Sequence, residues 1–155
     1  MAVSFSPMLW YAEEAETAAR FYAGLIPNSR VDGVFALPVE TPSGPAGSVK
    51  VVEMTLAGSR VLAMTAKPLD AFNHAISLTL ACDTQAELDR LWDGLLDGGT
   101  AEACGWLRDR YGLSWQIMPR RLLELIAGPD RERAARVATA MLGMVKLDLA
   151  AIEAA

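Results

Sequence analysis

The feature that most restricts this chain of 155 residues is a duplicated order of apolar patterns. Phe5–Tyr11 is a short apolar run with aromatics, which predicts a strand. Over Ala12–Ile26 the period changes. Ala15, Ala18, Ala19, Tyr22, Leu25 and Ile26 recur every three or four positions, as one face of a helix does. Glu13, Glu14 and Glu16 fall in its first turn, where the helix dipole favours negative charge. Pro27-Asn28-Ser29 ends it. Arg30–Leu37 predicts the next strand, and Pro38–Gly47, with three prolines and two glycines, a hairpin loop. Val49–Leu56 alternates: Val52, Met54 and Leu56 share one face, Val51, Glu53 and Thr55 the other. A turn at Gly58-Ser59 leads into Arg60–Thr65. The first half is strand, helix, strand, strand, strand.

After a link at Lys67–Asn73 the order repeats. Ala75–Ala81 predicts a strand with Ile76, Leu78 and Leu80 on its apolar face and Ser77 and Thr79 on its polar one. Thr84-Gln85-Ala86-Glu87 is a capping box. It opens a helix whose stripe is Leu88, Leu91, Trp92, Leu95 and Leu96, closed by a left-handed residue at Gly98-Gly99. Two strands around Ala101–Arg110, a turn at Tyr111-Gly112 and a strand at Leu113–Met118 complete the second unit.

The expected class is therefore α+β: two βαβββ modules, residues 1–66 and 67–118, forming a cupped mixed sheet, with a helical tail over 119–155, all in one structural domain. A four-stranded sheet with one helix has one face packed and one open. Two such sheets, paired, would leave a concave surface. In the tail, Leu122, Leu123, Leu125 and Ile126 mark one helix. Pro129 suits the first position of the next, whose stripe is Ala134, Val137, Ala138, Met141 and Leu142, with Gly143 as its cap. Leu147, Leu149 and Ile152 add further apolar surface. This predicts a packed or dimer-forming tail.

Composition narrows the function. Hydrophobic residues make up 52% of the chain, too much for a disordered segment. A net charge of −5 argues against nucleic-acid partners, which need clustered Lys and Arg. Cys82 and Cys104 cannot make a disulfide framework, which points to a reducing compartment. With neither a basic leader nor a long apolar run, the expectation is a cytoplasmic protein without a membrane partner.

The residues also resemble a known family. Phe21-Tyr22 with Pro27-Asn28-Ser29, Cys82-Asp83-Thr84-Gln85 with Trp92, and Met141-Leu142-Gly143-Met144 carry the likeness. The most specific block is Cys104-Gly105-Trp106-Leu107 with Asp109, Gly112 and Trp115-Gln116-Ile117. Together they resemble the vicinal-oxygen-chelate superfamily of glyoxalases and bleomycin-resistance proteins, in its PhnB-like branch, often labelled 3-demethylubiquinone methyltransferase-like. The resemblance implies paired βαβββ modules, usually completed by a dimer, with a divalent metal at four strand positions. Those positions fall at Pro7, Ala63, Ser77 and Gln116. Pro and Ala cannot ligate, Ser is a poor neutral ligand, and Gln offers only an amide oxygen. No metal is therefore expected, and no other cofactor. A nucleotide-like cofactor would want a glycine-rich turn between strand and helix, whereas Ser43-Gly44-Pro45-Ala46-Gly47 lies between strands.

Alternation then sorts the candidates. Met8 and Trp10 are expected to pack under the helices, leaving Pro7, Leu9 and Tyr11 in the cup. Trp115 and Ile117 pack, leaving Ser114, Gln116 and Met118. Glu53, a carboxylate among valines and a methionine, is either a general base or ligand anchor, or else the partner of Lys50, Arg60 or Arg108 or simply exposed. Gln116 either orients a polar ligand or bonds a neighbouring strand. Tyr11, Thr55, Ser77, Trp106 and Ser114 are the ligand-binding candidates. His74, the sole histidine, has no ligand-spaced partner nearby in sequence. Asp109, three residues before Gly112, suits a turn-capping carboxylate. Trp10, Trp92 and Trp115 are core by spacing, and both cysteines are structural. The expected protein is a homodimer that binds a small organic ligand in the cup, with any catalysis metal-independent through Glu53 and Gln116. A non-enzymatic sequestering protein is the alternative. A metal-dependent lyase or isomerase with atypical ligands, completed by a partner subunit or His74, is the third reading.

Overall fold

The computed structural model describes residues 3–67 and 70–155. Pro68 and Leu69, in the expected link, lie outside the described residues. The chain forms two compact units, Met1–Asp70 and Ala71–Ala155.

The first unit runs β1 (Met8–Tyr11), α1 (Ala15–Leu25), β2 (Arg30–Ala36), β3 (Lys50–Leu56) and β4 (Ser59–Thr65). Its sheet has the order β1-β4-β3-β2, parallel between β1 and β4 and antiparallel elsewhere. One side of α1 is nearly all alanine, so the helix sits close to the sheet. Ala15, Ala18, Ala19 and Tyr22 are buried, as are Val52, Met54, Val61 and Ala63 beneath them. The alternation of β3 is as its sequence predicts, with Val52, Met54 and Leu56 in the core.

Strand β1 has the opposite phase from the expected one. Leu9 and Tyr11 are buried, whereas Met8 and Trp10 are 39% and 44% exposed. Met-Leu-Trp-Tyr is apolar on both faces, so alternation carries no sign there. The sign is set by α1, whose Tyr22 hydroxyl lies 3.2 Å from that of Tyr11 in a buried hydrogen bond. Trp10 is therefore not core; Trp92 and Trp115 are.

The second unit runs β5 (Leu78–Cys82), α2 (Gln85–Leu96), β6 (Thr100–Ala101), β7 (Trp106–Arg108), β8 (Ser114–Pro119), α3 (Arg120–Ala127), α4 (Arg131–Leu142) and α5 (Leu149–Ala154). Its sheet order, β5-β8-β7-β6, repeats that of the first, with β5 and β8 parallel. The capping box forms: Thr84 Oγ1 accepts from the Glu87 amide at 3.2 Å, and the Glu87 carboxylate accepts from the Thr84 amide at 3.3 Å. Leu88, Leu91, Trp92 and Leu95 are buried, as are Leu107, Trp115 and Ile117 on the sheet. Asp109 is buried and accepts from the amides of Tyr111 (2.9 Å) and Leu113 (3.1 Å) and from the Trp115 indole (2.8 Å). It is the turn-capping carboxylate its spacing suggests.

The tail packs on this second unit. The amides of Cys104 and Gly105 donate to the carbonyls of Met144 and Val145, both at 2.8 Å. The Gln85 side chain donates to the Leu147 carbonyl and accepts from the Leu149 amide. Leu122, Leu125, Ala134, Val137, Leu147 and Ile152 are buried. Pro129 is not the first residue of α4. Asp130 takes the cap, accepting from the Arg133 amide at 2.9 Å, because its carboxylate can satisfy an orphan N–H. Among the described residues no helix is long and apolar enough to cross a membrane.

Candidate functional site

Residues paired across a sheet point to the same side, so the strand registers define what each module's open face carries. On the first sheet the rows are Phe35, Val51, Met64 and Trp10, then Gly33, Glu53, Leu62 and Met8, then Arg30, Thr55 and Arg60. Most of this face is apolar. Its charges are spent on one another. Arg60 Nη2 lies 2.6 Å from Glu53 Oε1. A bulge between Val31 and Gly33 sets Asp32 beside Arg30 (2.6 Å) and lets it accept from the Thr55 hydroxyl at 2.7 Å. Of the two readings of Glu53, the geometry matches the cross-strand ion pair with Arg60.

The second sheet's open face is different. Thr79, Gln116 and Trp106 form one row; Ser114, Arg108 and Thr100 form the next. Gln116 Nε2 donates to Ser77 Oγ at 2.8 Å. The structure thus brings Ser77, Trp106, Ser114 and Gln116 together. Ser114 is almost wholly buried, while Trp106, Gln116 and Ser77 are half-buried and reachable. Glu53 and Thr55 belong to the other sheet. Tyr11, expected to face a ligand, is buried in the first module's core with its hydroxyl on Tyr22; it has no place on an open face.

A cluster at the edge of the second face lies outside the catalytic pair expected from the sequence. His74 Nε2 lies 2.8 Å and 3.0 Å from the two Glu102 oxygens, and Arg108 lies 3.5 Å from one of them. The His74 ring is 6.2 Å from that of Trp106. His74 and Glu102 are 28 residues apart, so no local motif couples them; only the turn of β6 into β7 does. The cysteines differ from each other. Burial pushes the Cys82 thiol up to about 11, and Glu87 and Asp83 add to the effect. Cys104 is half-buried.

Comparisons with known proteins bear on this geometry. The model of the 3-demethylubiquinone-9 3-methyltransferase family matches residues 3–118. The chain belongs to this family. It is the PhnB-like branch of the vicinal-oxygen-chelate superfamily. The PhnB protein from Bacillus cereus is 24% identical, with a TM-score of 0.64 over 75% of this chain and 99% of that one. Protein PA1353 from Pseudomonas aeruginosa is 18% identical, with a TM-score of 0.59 over 76% and 98%. The fosfomycin resistance protein FosX from Mesorhizobium loti is 15% identical, with a TM-score of 0.53 over 88% and 99%. These likenesses establish the glyoxalase/bleomycin-resistance fold. Among curated proteins none matches the chain.

The superfamily's metal does not fit this PhnB-like chain. Ala63 is fully buried on the helix-covered side of its sheet, not on the open one. The open-face residues of β4 are Arg60, Leu62 and Met64, and those of β1 are Met8 and Trp10. None is a hard oxygen or imidazole donor. Ser77 and Gln116 bond each other. Among the described residues, no three His, Cys, Asp or Glu side chains converge. The methyl transfer in the family's description finds no nucleotide-type cradle either. The strand-to-helix turns, Ala12-Glu13-Glu14 and Asp83-Thr84, hold no glycine.

Proposed function

We propose that this PhnB-like protein binds a small organic molecule on the open face of its second sheet, without a metal. Trp106 supplies a stacking surface, and Gln116 and Ser77 supply the amide and hydroxyl that orient polar groups. Any acid–base chemistry falls to the His74–Glu102 pair rather than to Glu53. A carboxylate accepting from one imidazole nitrogen fixes the tautomer and leaves the other nitrogen to take a proton. The observation that carries this reading is the convergence of Gln116, Ser77, Trp106 and His74–Glu102 on one face, where the first sheet's face holds ion pairs and apolar side chains.

The test is a thermal-shift screen of small organic molecules, since a ligand of the native state raises the melting temperature. A hit that Trp106→Ala and Gln116→Ala both abolish supports the site; a hit indifferent to both overturns it. The sequestering reading draws on the same exposed aromatic and needs no base. His74→Gln separates the two: turnover lost with binding retained favours the enzyme, and an absence of turnover in the parent favours sequestration. We also propose a homodimer, supported by the apolar first face, where Trp10 and Phe35 are 44% and 50% exposed. Light scattering that returns a single 16.7-kDa species would refute it.

A further inference from the structure

The glycine-rich stretch between β2 and β3 has no part in the face described above. Ser43 and Ser48, in and beside it, form part of the wall of a cavity of about 660 Å³ that lies wholly within the first unit. That volume is in the range of small-molecule sites. The cavity sits where β1 and β4 end and β3 begins. Ala12 and Ala66 are apolar patches in its wall, and the hydroxyl-bearing residues Thr17, Ser43, Ser48 and Thr65 line it.

The wall is built, not loose. Thr41 and Gly44 exchange backbone hydrogen bonds at 2.9 Å and 3.0 Å, the Gly47 amide donates to Leu37 at 2.8 Å, and the Ser48 amide donates to Pro45 at 3.0 Å. Gly44 has φ 139°, and a Cβ there would lie 2.9 Å from Ser48 Oγ. Glycine at that position is what leaves Ser48 its place on the cavity.

Charge indicates the occupant. Arg20, Lys50 and Lys67 line the cavity with only Glu13 and Glu16 to oppose them, an excess of one positive charge in a chain whose net charge is −5. Glu16 Oε1 is held by Arg20 at 2.8 Å, and Glu13 by Lys67. These cations hold both carboxyls below their ordinary range, Lys67 acting on Glu13 and Arg20 on Glu16. Lys50 Nζ pairs with Glu16 Oε2 at 3.6 Å, a long ion pair to a carboxylate that Arg20 already holds, and an ammonium carries three N–H donors, so donors remain for a ligand. We infer that this cavity is a second binding site that takes a small hydroxylated carboxylate, its anionic group on Lys50 and its hydroxyls among Thr17, Ser43 and Ser48.

The test is a titration of ¹⁵N-labelled protein with L-malate at fixed ionic strength, with glycerol and choline as uncharged and cationic controls. The expected result is saturable shifts of the Thr17, Ser43, Ser48 and Thr65 amides with malate alone. Lys50→Ala should weaken binding about tenfold, as loss of one charge-assisted hydrogen bond does, and Lys50→Arg should retain it. Gln116→Ala should leave the malate response unchanged, which keeps this site separable from the second sheet's face. Shifts that never saturate, an equal response to choline, undiminished binding in Lys50→Ala, or a response that follows Gln116 would each overturn the inference.

Discussion

The two modules follow one chain path and present opposite surfaces. The first sheet has three seven-residue strands, and its open face is apolar with exposed ion pairs. The second has β6 and β7 of two and three residues, and its open face groups an amide, hydroxyls, an indole and an imidazole–carboxylate pair. Its short strands are compensated from elsewhere: Asp109 ties β8 to the preceding turn, and the tail's carbonyls accept from Cys104 and Gly105. The lesson is that duplication fixes the path of the chain, while each copy's face is free to diverge as long as its helix-covered side stays apolar. The positions expected to hold the superfamily's metal illustrate this, since Pro7 and Ala63 in the first module carry no donor side chain.

One carboxylate from each module distinguishes the two. Asp109 is buried with three donors aimed at it, so Asp109→Ala strands those donors and should cost about 3 kcal/mol. A urea midpoint within error of the parent would show that the second module does not depend on this carboxylate. Cys82 gives a middling effect with a defined sign. Its folded thiol titrates near 11 against an ordinary value of 9.0. The fold therefore binds this proton more tightly than the unfolded chain does. The stability it contributes is full below pH 9 and declines as pH rises towards 11. Cys82→Ala should flatten that part of the stability–pH curve, and Ellman's reagent at pH 8 should label Cys104 well before Cys82. Glu53 is the smallest case. It is paired with Arg60 at an exposed site, so Glu53→Gln should change stability by less than about 0.5 kcal/mol. A larger loss would mean that the first face is more tightly built than its ion pairs suggest.

Much of this could be read from residue patterns, for identifiable reasons. The alternation in β3, the capping box at Thr84 and the turn at Asp109 are local codes, each complete within a few residues. The order of elements follows because each change of period is marked by a Pro, Gly or capping residue. The errors have physical sources too. Phase in β1 is invisible because both its faces are apolar, and that misplaces Tyr11 and Trp10. Pro129 competes with Asp130 for one helix start, and the residue able to accept a hydrogen bond takes it. Of the candidate face, the shared side of Ser114 and Gln116 follows from alternation within β8, whereas Ser77 and Trp106 join it through a hydrogen bond and a strand register that only the fold supplies. The His74–Glu102 pair was not, because a contact across 28 residues leaves no trace in spacing.

The tail's contact with Cys104 and Gly105 has a practical consequence. The match to the family ends at residue 118, and a gene trimmed to that boundary would look tidy on paper. It would strip two carbonyl acceptors from the loop that leads into Trp106, along with Leu147, whose side chain crowds Gly105. Shortened chains of this kind would expose bare backbone beside the proposed ligand face, an invitation to self-association that residues 144 and 145 forestall.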